Sequence, residues 1–351
     1  MRIGLPREIK DGEYRVALTP AGVASLSRKG IEVVFEPDAG SGSGFSDQSF
    51  LEAKASIGDP WACELIVKVK ELQPGERRKP RPGQTVFCFQ HFAPDAALLQ
   101  AAIDSGATYI AFETVGETDG SLPILKPMSR IAGRLAVQVG AWCLQKHNGG
   151  SGVLLPGVEG VPPGRVVILG AGAVGSNALA VAHGIGAQVT VFARSEKRFA
   201  ALKERYARAE FRTGGIESAL RDADLVIGAV LVPGSLSPKL VTRAMLRGMR
   251  PGSALVDVGI DQGGIAETSH PTKHSAPTFV AEGVVHYCVP NMPSACARTA
   301  SLALEQAALP YIEQVLKGDF DQSLRTGFQV KAGKVVHAQL ARDTKRAYSP
   351  A

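Results

Sequence analysis

Short apolar runs alternate with longer segments of helical periodicity along the first third of the chain. The apolar runs are rich in Val, Ile and Phe, as strands are, and the helical segments each end at Gly. The predicted strands cover residues 31–37, 64–70, 84–90 and 107–113, and the predicted helices cover residues 21–30 and 95–106. Strands that alternate with helices indicate an α/β domain built on a parallel sheet.

A second series of strands begins beyond a long helical pattern and a Gly- and Pro-rich stretch. The helical pattern covers residues 129–147 and the Gly- and Pro-rich stretch covers residues 149–164. The strands predicted after it cover residues 166–170, 188–193, 223–230, 253–259 and 278–283. Helices or loops separate them, so the pattern predicts a doubly wound parallel sheet, followed by a last helix over residues 301–320.

Composition favours a soluble two-domain protein that binds small molecules. The chain has 351 residues, of which 45% are hydrophobic, enough for two domain cores. No apolar run is long enough for a signal peptide or a membrane span, which indicates a cytoplasmic protein without a membrane partner. The five cysteines are scattered without a paired spacing, so neither a disulfide framework nor a metal site is expected.

The net charge of +6 does not indicate nucleic-acid binding. The basic residues are dispersed along the chain and lack interleaved aromatic residues, so no nucleic-acid surface is predicted. Anionic small molecules are the ligands that this charge suits better, and the charge is also compatible with no binding role.

A glycine-rich turn follows the strand that opens the second series. Gly170, Gly172 and Gly175 form the pattern GAGAVG directly after the apolar run VVIL and before an Ala-rich helical segment. In a strand–turn–helix context this is the Rossmann fingerprint for a dinucleotide, whose pyrophosphate lies on the helix N-terminus. A plain Gly-rich turn is the alternative interpretation.

The end of the next strand lacks the carboxylate that usually binds the adenosine ribose. Ala193 occupies that place, and Arg194, Ser195, Lys197 and Arg198 follow it. These side chains offer hydrogen-bond donors and positive charge, which favour a 2′-phosphate. The sequence therefore predicts NADP as the cofactor, with NAD as the alternative; a solvated basic helix start would also give this pattern.

Four titratable residues stand where the apolar pattern does not require them. Arg15 precedes the first helix, whereas Lys70, His91 and Asp261 lie at or just beyond the carboxyl ends of predicted strands. In open α/β sheets this edge carries the ligand site. Each of the four taken alone is more often a satisfied or solvated polar residue.

The order of these and other motifs identifies a family resemblance. RVALTP, VKVKE, GSLP, GAGAVG, VDVGIDQGG and GVVHYCVPNMP follow one another in the order of alanine dehydrogenase and its relative, the nucleotide-binding α subunit of transhydrogenase. The resemblance runs from Met1 to about Gly318. It implies a Rossmann-type dinucleotide-binding domain, residues 126–304, inserted in an α/β substrate domain, residues 1–125 and 305–351. It also implies catalysis in the cleft between them and a homo-oligomer, either a dimer or a hexamer.

The resemblance implies roles for individual residues. Arg15 would bind the carboxylate of a 2-oxo acid and Lys70 its keto oxygen, while His91 would act as the general acid and base. Asp261 would handle protons on the side of the ammonia-derived nitrogen. The remaining expected contacts are Gln90 and Asn291 for the substrate, and Ser129, Arg130 and Met292 for the cofactor.

Several positions depart from the family pattern. Leu72 and Pro290 replace a Pro and an Ala, Gln90 replaces a Leu before the catalytic His, and Arg130 replaces a Glu. Lys126 stands where the family is apolar. The added polarity would serve either a cofactor phosphate or a substrate with a polar or anionic side chain, and the sequence leaves both open.

These observations together predict an NADP(H)-preferring amino acid dehydrogenase. The enzyme would reversibly aminate a small, pyruvate-like 2-oxo acid with ammonia, giving the L-amino acid. Two alternatives are a transhydrogenase-like nucleotide-binding subunit and a non-catalytic protein that senses NAD(P).

Overall fold

A computed structural model describes residues 1–230 and 237–350, which form two compact α/β units. Unit 1 consists of Met1–Met128 and Ser294–Ala351, and unit 2 of Ser129–Pro293. The predicted discontinuous arrangement had its second boundary at residues 304 and 305. In the structure that boundary precedes the last long helix, Ala297–Lys317, which belongs whole to unit 1.

The strands and helices have these bounds. The strands are β1 Ile3–Leu5, β2 Val33–Phe35, β3 Ser56–Ile57, β4 Leu65–Val67, β5 Thr85–Cys88, β6 Thr108–Ala111, β7 Arg165–Leu169, β8 Gln188–Phe192, β9 Glu210–Arg212, β10 Leu225–Gly228, β11 Ala254–Asp257, β12 Thr278–Ala281, β13 Val284–Tyr287, β14 Phe328–Lys331 and β15 Lys334–Val335. The helices are α1 Pro20–Ser27, α2 Asp47–Glu52, α3 Ala96–Asp104, α4 Leu125–Cys143, α5 Ala173–Gly184, α6 Ala200–Arg205, α7 Ile216–Arg221, α8 Arg243–Arg247, α9 Ala297–Lys317, α10 Gln322–Arg325 and α11 Ala338–Thr344.

The sheet of unit 1 is parallel except at one edge. Its strand order is β15-β14-β6-β5-β4-β1-β2-β3, and only β14 runs against the others, so its pairings with β6 and with β15 are antiparallel. The central strands β1 and β4 are fully buried. Their residues are consecutively apolar, as expected for strands of a sheet that is covered on both faces. The carboxyl ends of β1, β4, β5 and β6 consequently meet at one edge of this sheet.

The sheet of unit 2 has the strand order of a dinucleotide-binding fold. The order is β12-β13-β11-β10-β7-β8-β9, so the six parallel strands follow the pattern 3-2-1-4-5-6. The predicted strand over residues 278–283 is β12, which runs antiparallel to β13 at the edge. The sixth parallel strand is β13, within the motif GVVHYCVPNMP, because β13 pairs with β11. The sequence ADLVIGAVLVPG, residues 223–234, contains β10, and its last four residues lie outside the described ranges.

The cores are apolar and the helices carry recognisable caps. In unit 1, α3 packs with a cluster that includes Tyr109 and Val330, and the side chain of Asp95 accepts a hydrogen bond from the Leu98 amide at the start of α3. None of the helices in the described ranges has the length and apolarity to cross a membrane.

Candidate functional site

The glycine-rich turn of unit 2 has the geometry that a dinucleotide requires. Gly170 has a φ of +116°, and a Cβ there would lie 2.4 Å from the carbonyl oxygen of Ala229, at the end of β10. A Cβ on Gly175 would lie 1.8 Å from the carbonyl oxygen of Gly170, so α5 packs directly on the turn. A Cβ on Gly172 would meet no described atom within 4 Å. Gly170 thus allows the tight turn, Gly172 leaves an open face, and Gly175 allows α5 to pack on the turn. This arrangement fits a diphosphate at the N-terminus of α5.

The predicted cofactor-specificity residues lie beside this turn. The amide of Gly170 donates a hydrogen bond to the carbonyl of Phe192, the last residue of β8. The segment that starts at Ala193 therefore begins next to the glycine turn. Arg194, Ser195, Lys197 and Arg198 are exposed. None of the three cations among them forms an ion pair with a described residue. The intervening Glu196 pairs with Lys203 at 2.8 Å, so its negative charge is partly neutralised.

Asp261 lies on a loop that a buried aspartate braces. Asp257 ends β11, and its Oδ2 accepts hydrogen bonds from the Ile265 amide at 2.7 Å and the Ser269 hydroxyl at 2.6 Å. A Cβ on Gly264, which has a φ of +73°, would lie 2.5 Å from that oxygen. The motif IDQGG therefore ends in glycine because the loop folds back on Asp257. Burial raises the pKa of Asp257, against the hydrogen bonds it accepts. Asp261 itself is exposed on this loop.

Four further predicted residues lie in two other segments. Asn291 follows β13 with a φ of +58°, a left-handed conformation that is uncommon outside glycine, and Met292 beside it is buried. Ser129 and Arg130 lie in the second turn of α4, with Arg130 exposed. A few residues further along α4, a Cβ on Gly133 would lie 2.1 Å from the carbonyl oxygen of Val174, so α4 packs against the first turn of α5.

In unit 1, Arg15 is fixed by a buried carboxylate. Its Nε and Nη2 donate to the two carboxylate oxygens of Glu13 at 2.7 and 2.6 Å, and its Nη1 lies 3.1 Å from the sulfur of Met128. Arg15 is only 2% exposed and Glu13 only 6%. A bidentate pair of this kind holds the guanidinium plane in one orientation.

Lys70 lies on a segment that a second buried ionic cluster holds. Lys68, two residues before it, pairs with Glu8 at 3.2 Å and Glu76 at 2.8 Å, and all three side chains are buried. Glu8 also accepts a hydrogen bond from the amide of Val69 at 2.6 Å. Burial lowers the pKa of Lys68, but the two carboxylates outweigh it and raise that pKa above its usual range. The segment after β4 is therefore anchored from inside, and Lys70 is itself largely buried.

His91 has a left-handed backbone that a carboxylate stabilises. Its φ is +46°, and Glu113, after β6, accepts hydrogen bonds from the amides of His91 at 2.8 Å and of Gln90 at 3.1 Å. The imidazole is 45% exposed, and its Nδ1 lies 3.4 Å from Oε2 of Glu71, which follows Lys70. Strained backbone of this kind is frequent at functional sites.

The side chain of Gln90 lies inside the sheet rather than at this edge. Gln90 is 0% exposed, and its amide nitrogen donates to the carbonyls of Val86 and Ile110 at 3.3 and 3.4 Å. Its Oε1 is buried without a hydrogen bond from any described residue. The substrate contact predicted for Gln90 thus has no counterpart in this geometry, because the residue points back between β5 and β6 while its neighbour His91 points out.

Some of the predicted residues lie together in the structure, and further residues beside them were not predicted. Lys70 and His91 meet at one sheet edge through Glu71, whereas Asp261 lies in unit 2. Sequence reasoning missed Glu13, Glu71 and Glu113. The sequence marks Glu13 only by its place two residues before Arg15, and it marks Glu71 and Glu113 only by their places just beyond strand ends. The described residues contain no cluster of His, Cys, Asp or Glu arranged for a metal ion.

Comparisons with known proteins agree on one family. Models described as "Alanine dehydrogenase/PNT, N-terminal domain" and "Alanine dehydrogenase/PNT, C-terminal domain" match residues 4–132 and 136–338. The alanine dehydrogenase of Halomonas elongata is 49% identical over 96% of this chain and 93% of its own length. The alanine dehydrogenase of Bacillus subtilis is 45% identical over 100% of this chain and 97% of its own.

Solved structures give the same result. An L-alanine dehydrogenase superposes with a TM-score of 0.94 and 44% identity, covering 98% of this chain and 99% of that one. A transhydrogenase from Sinorhizobium meliloti superposes with a TM-score of 0.85 and 26% identity, covering 96% of this chain and 99% of that one.

Proposed function

Since this chain belongs to the alanine dehydrogenase/PNT family, we propose that it is an NAD(P)-dependent alanine dehydrogenase that interconverts pyruvate and L-alanine. One observation carries the proposal. Unit 1 brings Lys70 and His91 to the carboxyl edge of its sheet, while unit 2 carries a complete glycine turn for a dinucleotide. A dehydrogenase that acts on an amino acid needs both elements.

Arg15 and Lys70 are proposed to bind the 2-oxo acid. Glu13 fixes the orientation of the guanidinium before the substrate arrives, and a guanidinium matches the geometry of a carboxylate. An ammonium such as that of Lys70 polarises a keto oxygen and stabilises the negative charge that develops there. Glu8 holds the backbone beside Lys70, so this segment needs little reorganisation when the substrate binds.

His91 and Asp261 are proposed to move protons. After ammonia adds to the keto carbon, loss of water from the carbinolamine needs a proton on its hydroxyl, and His91 donates it. Asp261 accepts the proton that the ammonia-derived nitrogen releases. In the reverse direction His91 removes a proton from the attacking water. An imidazole suits both directions because it exchanges protons near neutral pH.

A bound nicotinamide cofactor would supply the hydride in one direction and accept it in the other. Gly170, Gly172 and Gly175 would hold its diphosphate. Four further residues, Ser129, Arg130, Asn291 and Met292, are proposed to contact the rest of the cofactor or, for Asn291, the substrate.

The test of this function is a reductive-amination assay with ammonia, NADPH or NADH and a panel of 2-oxo acids. We expect pyruvate to be aminated. Replacing His91 with Ala should lower kcat by about 10²- to 10⁴-fold and leave nucleotide binding unchanged, because only proton transfer is lost. His147→Ala, at an exposed histidine in unit 2, is the matched control. Undiminished turnover by His91→Ala would contradict the assignment.

We further propose that the enzyme prefers NADP(H), with NAD(H) as the alternative. Ala193 offers no carboxylate to an NAD ribose and no repulsion to a 2′-phosphate. Arg194, Ser195, Lys197 and Arg198 stand exposed beside the glycine turn. The cations there form no ion pair with a described residue, which supports a phosphate contact, because exposed arginines bind phosphate with charge-assisted hydrogen bonds.

Cofactor preference is tested by comparing kcat/KM for NADPH and NADH. Arg194→Ala should weaken NADPH use by roughly 10- to 100-fold, about 1.5 to 3 kcal/mol, and leave NADH use nearly unchanged. Ala193→Asp combined with Arg194→Ile should reverse the preference. Arg221→Ala is the control, since Arg221 is an exposed arginine of the same unit that pairs with Glu217. Equal or better use of NADH by the unmodified protein would refute the preference.

The side chain of the substrate is proposed to be the methyl group of pyruvate. The side chain of Gln90, the polar replacement beside His91, points into the sheet and therefore adds no polar group to the substrate site. A 2-oxo acid with an anionic side chain would have to engage Lys126 or Arg130, both exposed on α4. Faster turnover of oxaloacetate than of pyruvate would favour that alternative.

The protein is also proposed to be a cytoplasmic homo-oligomer. Leu154, Val158 and Val161 are each more than half exposed in one loop of unit 2, which favours burial in an assembly. Light scattering of the purified protein tests this. No observation favours a transhydrogenase subunit or a nucleotide sensor over the dehydrogenase.

A further inference from the structure

Glu71 connects the two reactive residues of unit 1. It directly follows Lys70, and its Oε2 lies 3.4 Å from Nδ1 of His91, while its Oε1 pairs with the ammonium of Lys10. The Glu71 side chain is 13% exposed and the His91 side chain 45%. A largely buried carboxylate thus faces one nitrogen of a partly exposed imidazole.

The Oε2 atom has no better partner than His91. It is buried and receives no hydrogen bond of good geometry from any described residue. Catalytic hydrogen bonds are often long in unliganded proteins and shorten when substrate binds, so 3.4 Å is the separation of a contact ready to tighten. The backbone supports this arrangement, because Glu113 holds the amide of His91 in its left-handed conformation.

A carboxylate at Nδ1 determines which nitrogen of the imidazole exchanges protons. It keeps a proton on Nδ1, leaves Nε2 as the atom that exchanges protons, and stabilises the imidazolium when Nε2 is protonated. Glu71 stays ionised for this purpose. Burial raises its pKa, but the contact with His91, the charge of Lys70 and the contact with Lys10 outweigh burial and hold the pKa well below its usual range.

We propose that Glu71 is the positioning residue of His91, holding the proton on its Nδ1 and so fixing its tautomer and ring orientation. This proposal rests on the alanine dehydrogenase activity proposed above and adds a residue to it. The charged groups that face this pair are Lys10 and Lys70 beside Glu71 and Glu113 at the His91 amide.

The first measurement is the pH profile of kcat/KM for oxidative deamination of L-alanine. In this direction His91 must be unprotonated, so activity falls on the acidic limb. Glu71→Gln should move that limb to lower pH, because the imidazolium then loses the opposite charge that faces its Nδ1 at 3.4 Å. Activity at neutral pH should fall by about 10- to 100-fold as the tautomer is released. Glu71→Asp should keep the acidic limb close to its original position.

The second measurement does not depend on activity. Diethyl pyrocarbonate acylates neutral imidazole, and peptide mass spectrometry reports modification of His91 alone. The pH midpoint of this modification should shift downward in Glu71→Gln, and not in Glu64→Gln. Glu64 is the matched control because it directly precedes β4 whereas Glu71 lies beyond its other end, and it pairs with Arg2.

The outcomes separate the two proposals. If the wild type does not oxidise L-alanine, the proposed function fails, and the acylation midpoint still decides the role of Glu71. An unchanged acidic limb with an unchanged midpoint in Glu71→Gln would overturn that role. An equal shift in Glu64→Gln would overturn it as well, because the effect would then be one of net charge.

Discussion

Adding one methyl group to the glycine turn separates nucleotide binding from folding, depending on which glycine receives it. At Gly172 an added Cβ meets no described atom within 4 Å, and the residue has a φ of −79°, which alanine adopts freely. At Gly175 the added Cβ would lie 1.8 Å from a carbonyl oxygen, whereas real contacts are essentially never shorter than 3.0 Å. The two substitutions are chemically identical and structurally opposite.

The expected magnitudes follow from this geometry. Gly175→Ala forces α5 and the turn apart by roughly 1 Å and should cost at least about 3 kcal/mol of the free energy of unfolding, because neither backbone can move independently. Gly172→Ala should leave stability unchanged or raise it by about 0.4 to 1 kcal/mol. Its methyl group stands where the diphosphate approaches the turn. Loss of one charge-assisted hydrogen bond there, about 1.5 to 3 kcal/mol, weakens binding by roughly 10- to 150-fold.

Two assays measure these effects. Denaturant unfolding without nucleotide reports stability, and NADPH fluorescence titration reports affinity. Gly184→Ala, at the other end of α5, is the control, because the added Cβ there also meets no described atom within 4 Å. Wild-type affinity in Gly172→Ala would show that the diphosphate lies elsewhere. Wild-type stability in Gly175→Ala would refute the packing of α5 on the turn.

Three further predictions concern unit 1. Glu13→Ala should destabilise the protein by about 3 to 5 kcal/mol and raise the KM for pyruvate, because the buried Arg15 loses its partner; urea unfolding and steady-state kinetics test this. Gln90→Leu should raise the free energy of unfolding by about 1 kcal/mol without changing the ranking of 2-oxo acids, because it removes a buried oxygen without a hydrogen bond from the described residues. The lowered pKa of Glu71 stabilises the fold above the usual glutamate range, and this contribution is lost as the pH falls below it. The stability difference between wild type and Glu71→Gln should therefore shrink from about pH 5 downward in unfolding titrations.

The sequence predicted the architecture because its signals are local. Apolar runs of four to seven residues, helical periodicity and glycines at turns reflect each segment's own conformational preferences. They gave two α/β units, one carrying a dinucleotide turn, as the structure and the family comparisons confirm. Residues at the carboxyl ends of strands can also be predicted to lie near one another, since parallel strands bring these ends to one edge of the sheet. This rule predicts Lys70 and His91 as site residues, and the two do share one edge.

The sequence by itself thus determined which elements form and which residues stand at their ends, while the tertiary structure decided their partners. Glu113 lies 22 residues from His91, and Glu8 lies 61 from Val69, so no periodicity links them. The same limit explains Gln90, adjacent to His91 in sequence. One rotation of the backbone at the strand end turns the amide into the core and the imidazole outward. Strand pairing set the antiparallel edge at β12 for the same reason, because hydrogen bonds between strands depend on what folds beside them.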